Sequence, residues 1–254
     1  MIRSIDEVIL ELDQIVLTCI DKQDPLGYFA SLYKRVTIAV KDGIANKAFE
    51  DNARMEKLDI MFASRYMEAY RAFQTGKPTT QSWNAAFSTK SKRLITLQHL
   101  LLGMNAHISL DLGVAAARTS PENPLALKND FYSINRVLES LIEDTQQRLT
   151  HIFRPLGLAD RLLGPIDEKL SIYSIAYARD KAWTQTLELS LASSENQSQL
   201  ILERDIAVAR FSACLRNPKR LSVRLILLAI RLLERGDTAY RIKLLDTLSP
   251  TIDS

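Results

Sequence analysis

The stretch LITLQHLLLGMNAHISLDLGVAAA, Leu94 to Ala117, decides how the rest of the chain is read. Apolar residues lie all round a helix drawn through it, the pattern of a helix enclosed by others rather than one lying on a surface. Its polar side chains are then buried as well, and each needs a partner. At roughly 100° per residue they sort into two stripes. Gln98, Asn105 and Ser109 fall on one side, and His99, Gly103, His107 and Asp111 on the other. Two of the chain's 3 histidines share the second stripe. Gly103 between them lets a neighbouring helix, a water or a ligand come close to the backbone.

Outward from this helix, three-to-four-residue apolar spacing recurs, while alternating Val, Ile and Thr bounded by tight turns is nearly missing. The expected fold class is therefore all-α: a compact multi-helix bundle of about nine helices around the buried central one. Helices are expected near 4–22, 26–46, 52–75, 80–88, 92–118, 124–152, 164–192, 195–215 and 218–235, with a short last one near 237–247. The 8 Pro fall between these segments or in their first turns. Asp24-Pro25, Gly76-Lys77-Pro78, the Ser120 to Pro124 run and Asn217-Pro218 each supply a stop. Loops are short and repeats are missing, so residues 1–254 read as a single helical domain. How tightly the helices after about residue 193 pack is left open.

Composition narrows the class. With 46% hydrophobic and 25% charged residues, whole-chain disorder is excluded. Cys19 and Cys214, the only cysteines, cannot build a disulfide framework or a cysteine-rich zinc module, and both read as buried inert thiols. The opening MIRSIDEVILELD carries acids where a secretory signal needs an apolar run. No stretch of about 18 uncharged apolar residues suggests a spanning helix. A reducing, cytoplasmic setting is the expectation. No Gly-rich phosphate loop, nucleophile elbow, His-Glu-x-x-His or Cys-x-x-Cys occurs, which disfavours kinases, dinucleotide oxidoreductases and α/β-hydrolases.

Helical geometry limits the candidate chemistry. His107 and Asp111 are i,i+4 neighbours, able to share a proton or one metal ion. His99 lies about 12 Å of rise away from His107, too far for both to hold one ion. The pair reads three ways: a satisfied polar layer, a catalytic or ligand-contacting dyad, or a divalent-metal site. Other helices also carry charges on apolar faces. Asp59 shares a face with Met55, Phe62, Tyr66 and Phe73. Arg179 shares one with Ile172, Ile175, Ala176, Trp183 and Leu187. Asn135 lies among Phe131, Leu138 and Ile142, Arg35 beside Leu32 and Ala39, and Asp130 at the edge of its own apolar face. Buried charges must pair. The expectation is that Arg35, Asp59, His99, His107, Asp111, Asp130 and Arg179 converge, the alternative being separate salt bridges at helix ends.

These residues carry a resemblance. The block HLLLGMNAHISLDLG, His99 to Gly113, is similar to the most recognisable helix of an uncharacterised, mostly bacterial, all-helical domain-of-unknown-function family. The blocks YKRVT (Tyr33 to Thr37), AFEDNARMEKLDIMFASRY (Ala48 to Tyr66), Ser82-Trp83, DFYSIN (Asp130 to Asn135) and ARDKAW (Ala178 to Trp183) follow the same order. The likeness spans about residues 25–190, leaving a basic helical extension over 194–254. It implies the fold and the polar cluster but no reaction. A fainter similarity is to helical zinc-dependent phospholipase C and nuclease enzymes, which also use His-x-x-x-Asp pairs. Those need more histidines and an N-terminal Trp, whereas here His151 alone remains and the chain begins with Met1. A one- or two-metal site drawing on Asp59 or Asp51 stays open.

Arg216 to Lys243 holds eight basic and two acidic residues against a whole-chain net charge of +3. Arg220, Arg224, Arg231 and Arg235 fall on one stripe of LSVRLILLAIRLLER (residues 221–235, with Arg220 just before it), opposite an apolar face. That stripe reads as a solvated face of a helix packed on the bundle or on a second copy, or as a peripheral contact with anionic lipid; no nucleic-acid motif supports a third use. His151 reads as a helix-end cation.

Two function classes remain. In one, the protein is an enzyme doing acid/base or metal-assisted, hydrolase-like chemistry on a small anionic substrate. His107 acts as acid/base oriented by Asp111, with His99 and Asp59 as further catalytic candidates. Arg35 and Arg179 would bind the anion, and Asp130, Asn135, Asn105, Tyr66, Trp83 and Trp183 would line the pocket. In the other, the polar cluster fixes helix register in a module that binds a small molecule or a partner.

Overall fold

The computed structural model describes residues 2–89, 94–153 and 175–247, apart from the side chains of Glu139, Ser140 and Ile142. Ten helices and no strand occur among them: α1 (Ile5–Asp21), α2 (Gly27–Ala45), α3 (Asn52–Gln74), α4 (Gln81–Phe87), α5 (Thr96–Thr119), α6 (Lys128–Ile152), α7 (Ile175–Leu191), α8 (Ser194–Arg216), α9 (Leu221–Leu233) and α10 (Thr238–Asp246). The expected start of the seventh helix, Ile172 included, lies outside the described residues.

Local signals start several helices. Ser4, Asp51, Thr80, Ser193 and Asp237 each accept a backbone N–H from the first turn that follows, satisfying donors that have no partner within the helix. Three starts, those of α3 and α4 again and that of α5, are held by carboxylates from distant parts of the chain. Asp130 accepts from Glu50 N at 2.6 Å and Asp51 N at 3.1 Å before α3. Asp205 accepts from Gln81 N at 2.7 Å and Ser82 N at 2.9 Å on α4, and Glu234 accepts from Thr96 N at 2.7 Å on α5. A negative charge at a helix N-terminus also meets the favourable end of the helix dipole.

Helix α5 runs through the centre. By length and composition it would suit a membrane, but 83% of its most apolar window is buried inside the protein. Its two inner glycines are where neighbours press closest. A Cβ on Gly103 would stand 2.4 Å from Phe29 Cγ, and one on Gly113 would stand 2.4 Å from Gln185 Oε1 and 2.9 Å from the Ala182 carbonyl. The close approach foreseen at Gly103 is thus made by α2.

The stripe of Gln98, Asn105 and Ser109 is the dock for α8. Gln98 Nε2 donates to the Leu215 carbonyl at 2.8 Å, and Asn105 Nδ2 donates to the Val208 carbonyl and Ser212 Oγ, each at 3.0 Å. Arg204 Nε donates to the Ser109 carbonyl at 2.7 Å. The chain after residue 193 therefore divides. Helix α8 is tied to the core. So is α10, through Ile242, Leu245 and the bridge from Lys34 to Asp13 and Asp246. Only α9 lies open, with Ile230 its one buried residue.

Candidate functional site

At His107 the central helix changes its hydrogen bonding. His107–Asp111 form a π-turn, in which Leu112 N donates to the His107 carbonyl, before α-geometry resumes. Such single wide turns recur at functional sites. Neither Pro nor Gly stands within this one.

Asp111 is almost fully buried and both its oxygens are in use. Oδ1 accepts from Arg65 Nε at 2.7 Å, and Oδ2 accepts from Trp83 Nε1 at 2.8 Å. His107 Nδ1 lies 3.3 Å from the same Oδ2. Burial alone would raise the Asp111 carboxyl, but Arg65 and then His107 and Trp83 hold it below its usual range. His107 is pushed down by burial, partly offset by Asp111. The carboxylate is thus ionised and can only accept, so a neutral His107 carries its proton on Nδ1 and presents Nε2 as a lone pair. The ring is held by stacking on Phe62, with centroids 3.5 Å apart and planes 4° from parallel, and by the edge of Tyr33 at 4.5 Å. Nε2 is buried and has no hydrogen-bond partner.

His107 lines a cavity of about 230 Å³. Leucine, isoleucine, valine and methionine from α2, α3, α5 and α6 form most of its wall, among them Leu32, Met55, Leu100, Met104 and Leu138. Asp59, Tyr33, Thr145 and Arg179 also reach it, and in each a buried polar atom stands without a partner: Asp59 Oδ2, Tyr33 Oη, Thr145 Oγ1 and Arg179 Nε. Burial, with a smaller push from Glu56, raises the Asp59 carboxyl to about 7. Burial lowers Arg179 to about 10, so it remains a cation at neutral pH. The guanidinium lies 4.6 Å over the Phe131 ring and donates through Nη2 to the Phe131 carbonyl. Burial, then Asp59 and Asp111, keep the Tyr33 phenol protonated.

Residues 5–218 match a family model described as a family of unknown function. The chain belongs to DUF5995. The match extends the likeness read from about residues 25–190 at both ends, taking in α1 and all of α8. No curated protein and no solved structure matches the chain.

Within this DUF5995 chain the seven charged residues expected in one cluster occupy several places. His107, Asp59 and Arg179 share the cavity, and Asp111 stands behind His107 with Trp83. Tyr66 is fully buried nearby, its ring 6.0 Å from His107 and its hydroxyl without a partner. The others do not join them. Arg35 pairs with Asp144 and donates to the Leu245 carbonyl, tying α2 to α6 and α10. Asp130 holds the backbone just before α3 and also receives Arg54 Nη2 at 3.0 Å. His99 packs edge-on to Tyr28, with Nδ1 3.3 Å from Thr89 Oγ1, and burial with Arg241 lowers it to about 4. Asn105 is occupied on α8, and Trp183 packs against Phe131 and Tyr132. Asn135 Oδ1 is buried without a partner but does not line the cavity. The physical reason for the scatter is that helix starts and helix junctions need charges too.

Among the described residues no group of three or more His, Cys, Asp or Glu is placed to hold a metal ion. Asp51, offered as a further ligand, is a helix cap. His107 and Asp111 meet through a hydrogen bond, with the remaining capacity of Asp111 taken by Arg65 and Trp83. Residues that periodicity missed are Arg65, Tyr33 and Thr145. Arg65 lies off the Met55–Asp59–Phe62–Tyr66 face, and only its long side chain reaches Asp111. Tyr33 and Arg65 stood inside the YKRVT and AFEDNARMEKLDIMFASRY blocks.

Proposed function

We propose that this protein is a proton-transfer enzyme acting on a small substrate with an apolar body and an anionic group. One observation carries the reading: the Nε2 of a neutral histidine, its tautomer set by an ionised carboxylate, is left unpartnered at an apolar cavity. A base positioned this way removes a proton from whatever carbon acid, hydroxyl or water is held against it, typically accelerating the step by about 10²–10⁴. Asp111 orients the ring and stabilises the imidazolium that forms, the division of labour seen in other base–carboxylate pairs. Asp59 changes protonation near neutrality and can return the proton. Arg179 supplies the charge that attracts the anionic group, and the Tyr33 phenol is a second donor. Among the described residues no Ser or Cys lines the cavity, and the reading is one of proton transfer. A water activated by the same Nε2 gives the hydrolytic version.

The size of the cavity limits the substrate. An apolar cavity of about 150 Å³ takes up benzene, so about 230 Å³ suits a molecule somewhat larger. The test uses a panel of small apolar 2-oxo and 3-oxo carboxylates in D₂O, followed by proton NMR for exchange of the acidified C–H. Exchange with at least one member, lowered 10²-fold or more in His107→Gln, is expected. Binding of these acids without exchange makes the protein a carrier or sensor, and no binding at all removes the reading.

A further inference from the structure

Helix α9 has three sectors. Val223, Ile226, Leu227 and Ile230 turn inward, where Ile226, Leu227 and Ile230 pack with Ile95, Phe153 and Leu97. Leu221, Leu225, Leu228 and Leu232 recur at i, i+4, i+7 and i+11 and face solvent, and with Leu233 they are 47–75% exposed. At 100° per residue, Arg220, Arg224, Arg231 and Arg235 run immediately beside these leucines. The arginine stripe therefore borders an exposed apolar row instead of standing opposite the whole apolar side. From Asn217 to Leu233 the chain carries four cations and no acid. The next acid, Glu234, is turned inward onto Thr96 N and Arg241. None of the four arginines forms an ion pair among the described residues.

We infer that α9 docks this protein on an anionic membrane surface, lying in the interface plane with its leucine row among the acyl chains and its arginines at the headgroups. A bordering pair of leucine and arginine rows is what an interfacial helix needs, because apolar burial and attraction to anionic lipid then act on one face. A second copy fits less well. A 13-residue helix is about 20 Å long and 10 Å wide, a face on the order of 200 Å² against the roughly 800 Å² per partner of a stable interface. Pairing two such faces would also bring two unneutralised arginine rows together. Nucleic acid would use the arginines and leave the leucines exposed. The docking surface stands independently of the cavity chemistry. Leu97 packs in the same cluster as the inner face of α9 and also lines the cavity, so a docked bilayer would lie near one end of the cavity.

The test is sedimentation of the full chain with phosphatidylcholine vesicles, with and without phosphatidylserine. It is run alongside analytical ultracentrifugation without lipid and fluorescence anisotropy with a DNA duplex. Binding to the phosphatidylserine vesicles alone is expected, weakening as salt is raised. Each arginine near an anionic surface is worth about fivefold, so Arg224→Glu with Arg231→Glu should lower partitioning by at least about tenfold. Leu225→Gln with Leu232→Gln, at exposed positions that leave the fold intact, should also lower it. No sedimentation with phosphatidylserine vesicles overturns the inference, as does sedimentation indifferent to both double variants. A dimer dissociated by the leucine variant assigns the face to a second copy. Duplex binding lost with the arginines but not the leucines assigns it to nucleic acid. Either of these outcomes overturns the membrane reading.

Discussion

The two sides of α5 treat buried polar groups in opposite ways. Toward α8, Gln98 and Asn105 reach carbonyl and hydroxyl acceptors on another helix, and the Ser109 carbonyl receives Arg204. Toward the cavity, His107 Nε2, Asp59 Oδ2, Tyr33 Oη, Thr145 Oγ1 and Arg179 Nε meet nothing. An unsatisfied buried donor or acceptor costs about 1–3 kcal/mol, and native proteins hold few of them. Several surround a single cavity, beside a helix face whose side chains reach partners, and it is there that the proposed substrate would be received. The α8 side holds the fold together, and the cavity side carries a cost in stability that a bound molecule would relieve.

Asp111→Ala attacks the contrast most strongly. It leaves Arg65 Nε, Trp83 Nε1 and His107 Nδ1 without their acceptor, and breaking a buried ion pair costs about 3–5 kcal/mol. Urea unfolding should show a loss in that range, toward its lower end because Arg65 is 19% exposed. Asp111→Asn keeps the shape and one acceptor oxygen, so it should fold with a smaller loss. It removes the charge that fixes the His107 tautomer, so ¹⁵N NMR of the ring should report mixed tautomers where the native protein shows Nδ1–H. An unchanged tautomer would mean that Asp111 does not orient His107.

Asp59 tests the cavity side through pH. Its carboxyl titrates at about 7 when folded and near 3.9 when unfolded. Between those values the folded state binds the extra proton, so stability falls as pH rises from about 4 to 7. The total is up to about 4 kcal/mol, and it stays lost above pH 7. His99 works the other way. Lowered to about 4, it leaves the unfolded chain binding the extra proton between about 4 and 6.5, so its contribution grows as pH rises through that window. The two oppose each other below pH 6.5. Asp59→Asn removes only the first, so its stability should climb with pH where the native protein is nearly flat, and should exceed the native value at pH 8. Parallel curves for the two proteins would place Asp59 in a solvated site.

On the α8 side the corresponding test is Asn105→Ala. Asn105 is 2% exposed, and losing its bonds to Val208 and Ser212 should cost about 1–3 kcal/mol. Amide exchange should quicken along α8 while the residues around His107 stay protected. Uniform quickening would show that α8 and the cavity open as one unit.

How much of this was legible follows from the range of each interaction. The all-α class, the buried α5 and the division of its polar residues into two stripes rest on 3.6-residue periodicity, which a sequence displays directly. So do the apolar settings of Asp59 and Arg179, and both reach the cavity. The destinations of Arg35, Asp130 and His99 were not legible, because a charge at the edge of an apolar face can serve a helix start as readily as a site. Asp130, Asp205 and Glu234 each act on a backbone segment 79 or more positions away, and no local pattern records such a pairing. The π-turn is equally silent, since neither Pro nor Gly marks it.

The smallest expected effect is also the one that separates the two sides by sign. Thr145→Val replaces a hydroxyl that has no partner with a methyl of similar shape. An unpartnered polar atom gains nothing from its burial, so the substitution should leave stability unchanged or raise it by up to about 1 kcal/mol. Ser212→Ala on α8 makes a comparable change where the hydroxyl is in use, accepting from Asn105 Nδ2 at 3.0 Å. There the net value of one hydrogen bond, about 0.5–1.5 kcal/mol, should be lost. Paired unfolding curves for these two variants need no ligand and no assay. If Thr145→Val loses stability as Ser212→Ala does, the Thr145 hydroxyl is already partnered, and the cavity face is as closed as the face that docks α8. If the signs differ, the polar atoms around the cavity are held ready at a cost to the fold, as a site for binding an outside molecule requires.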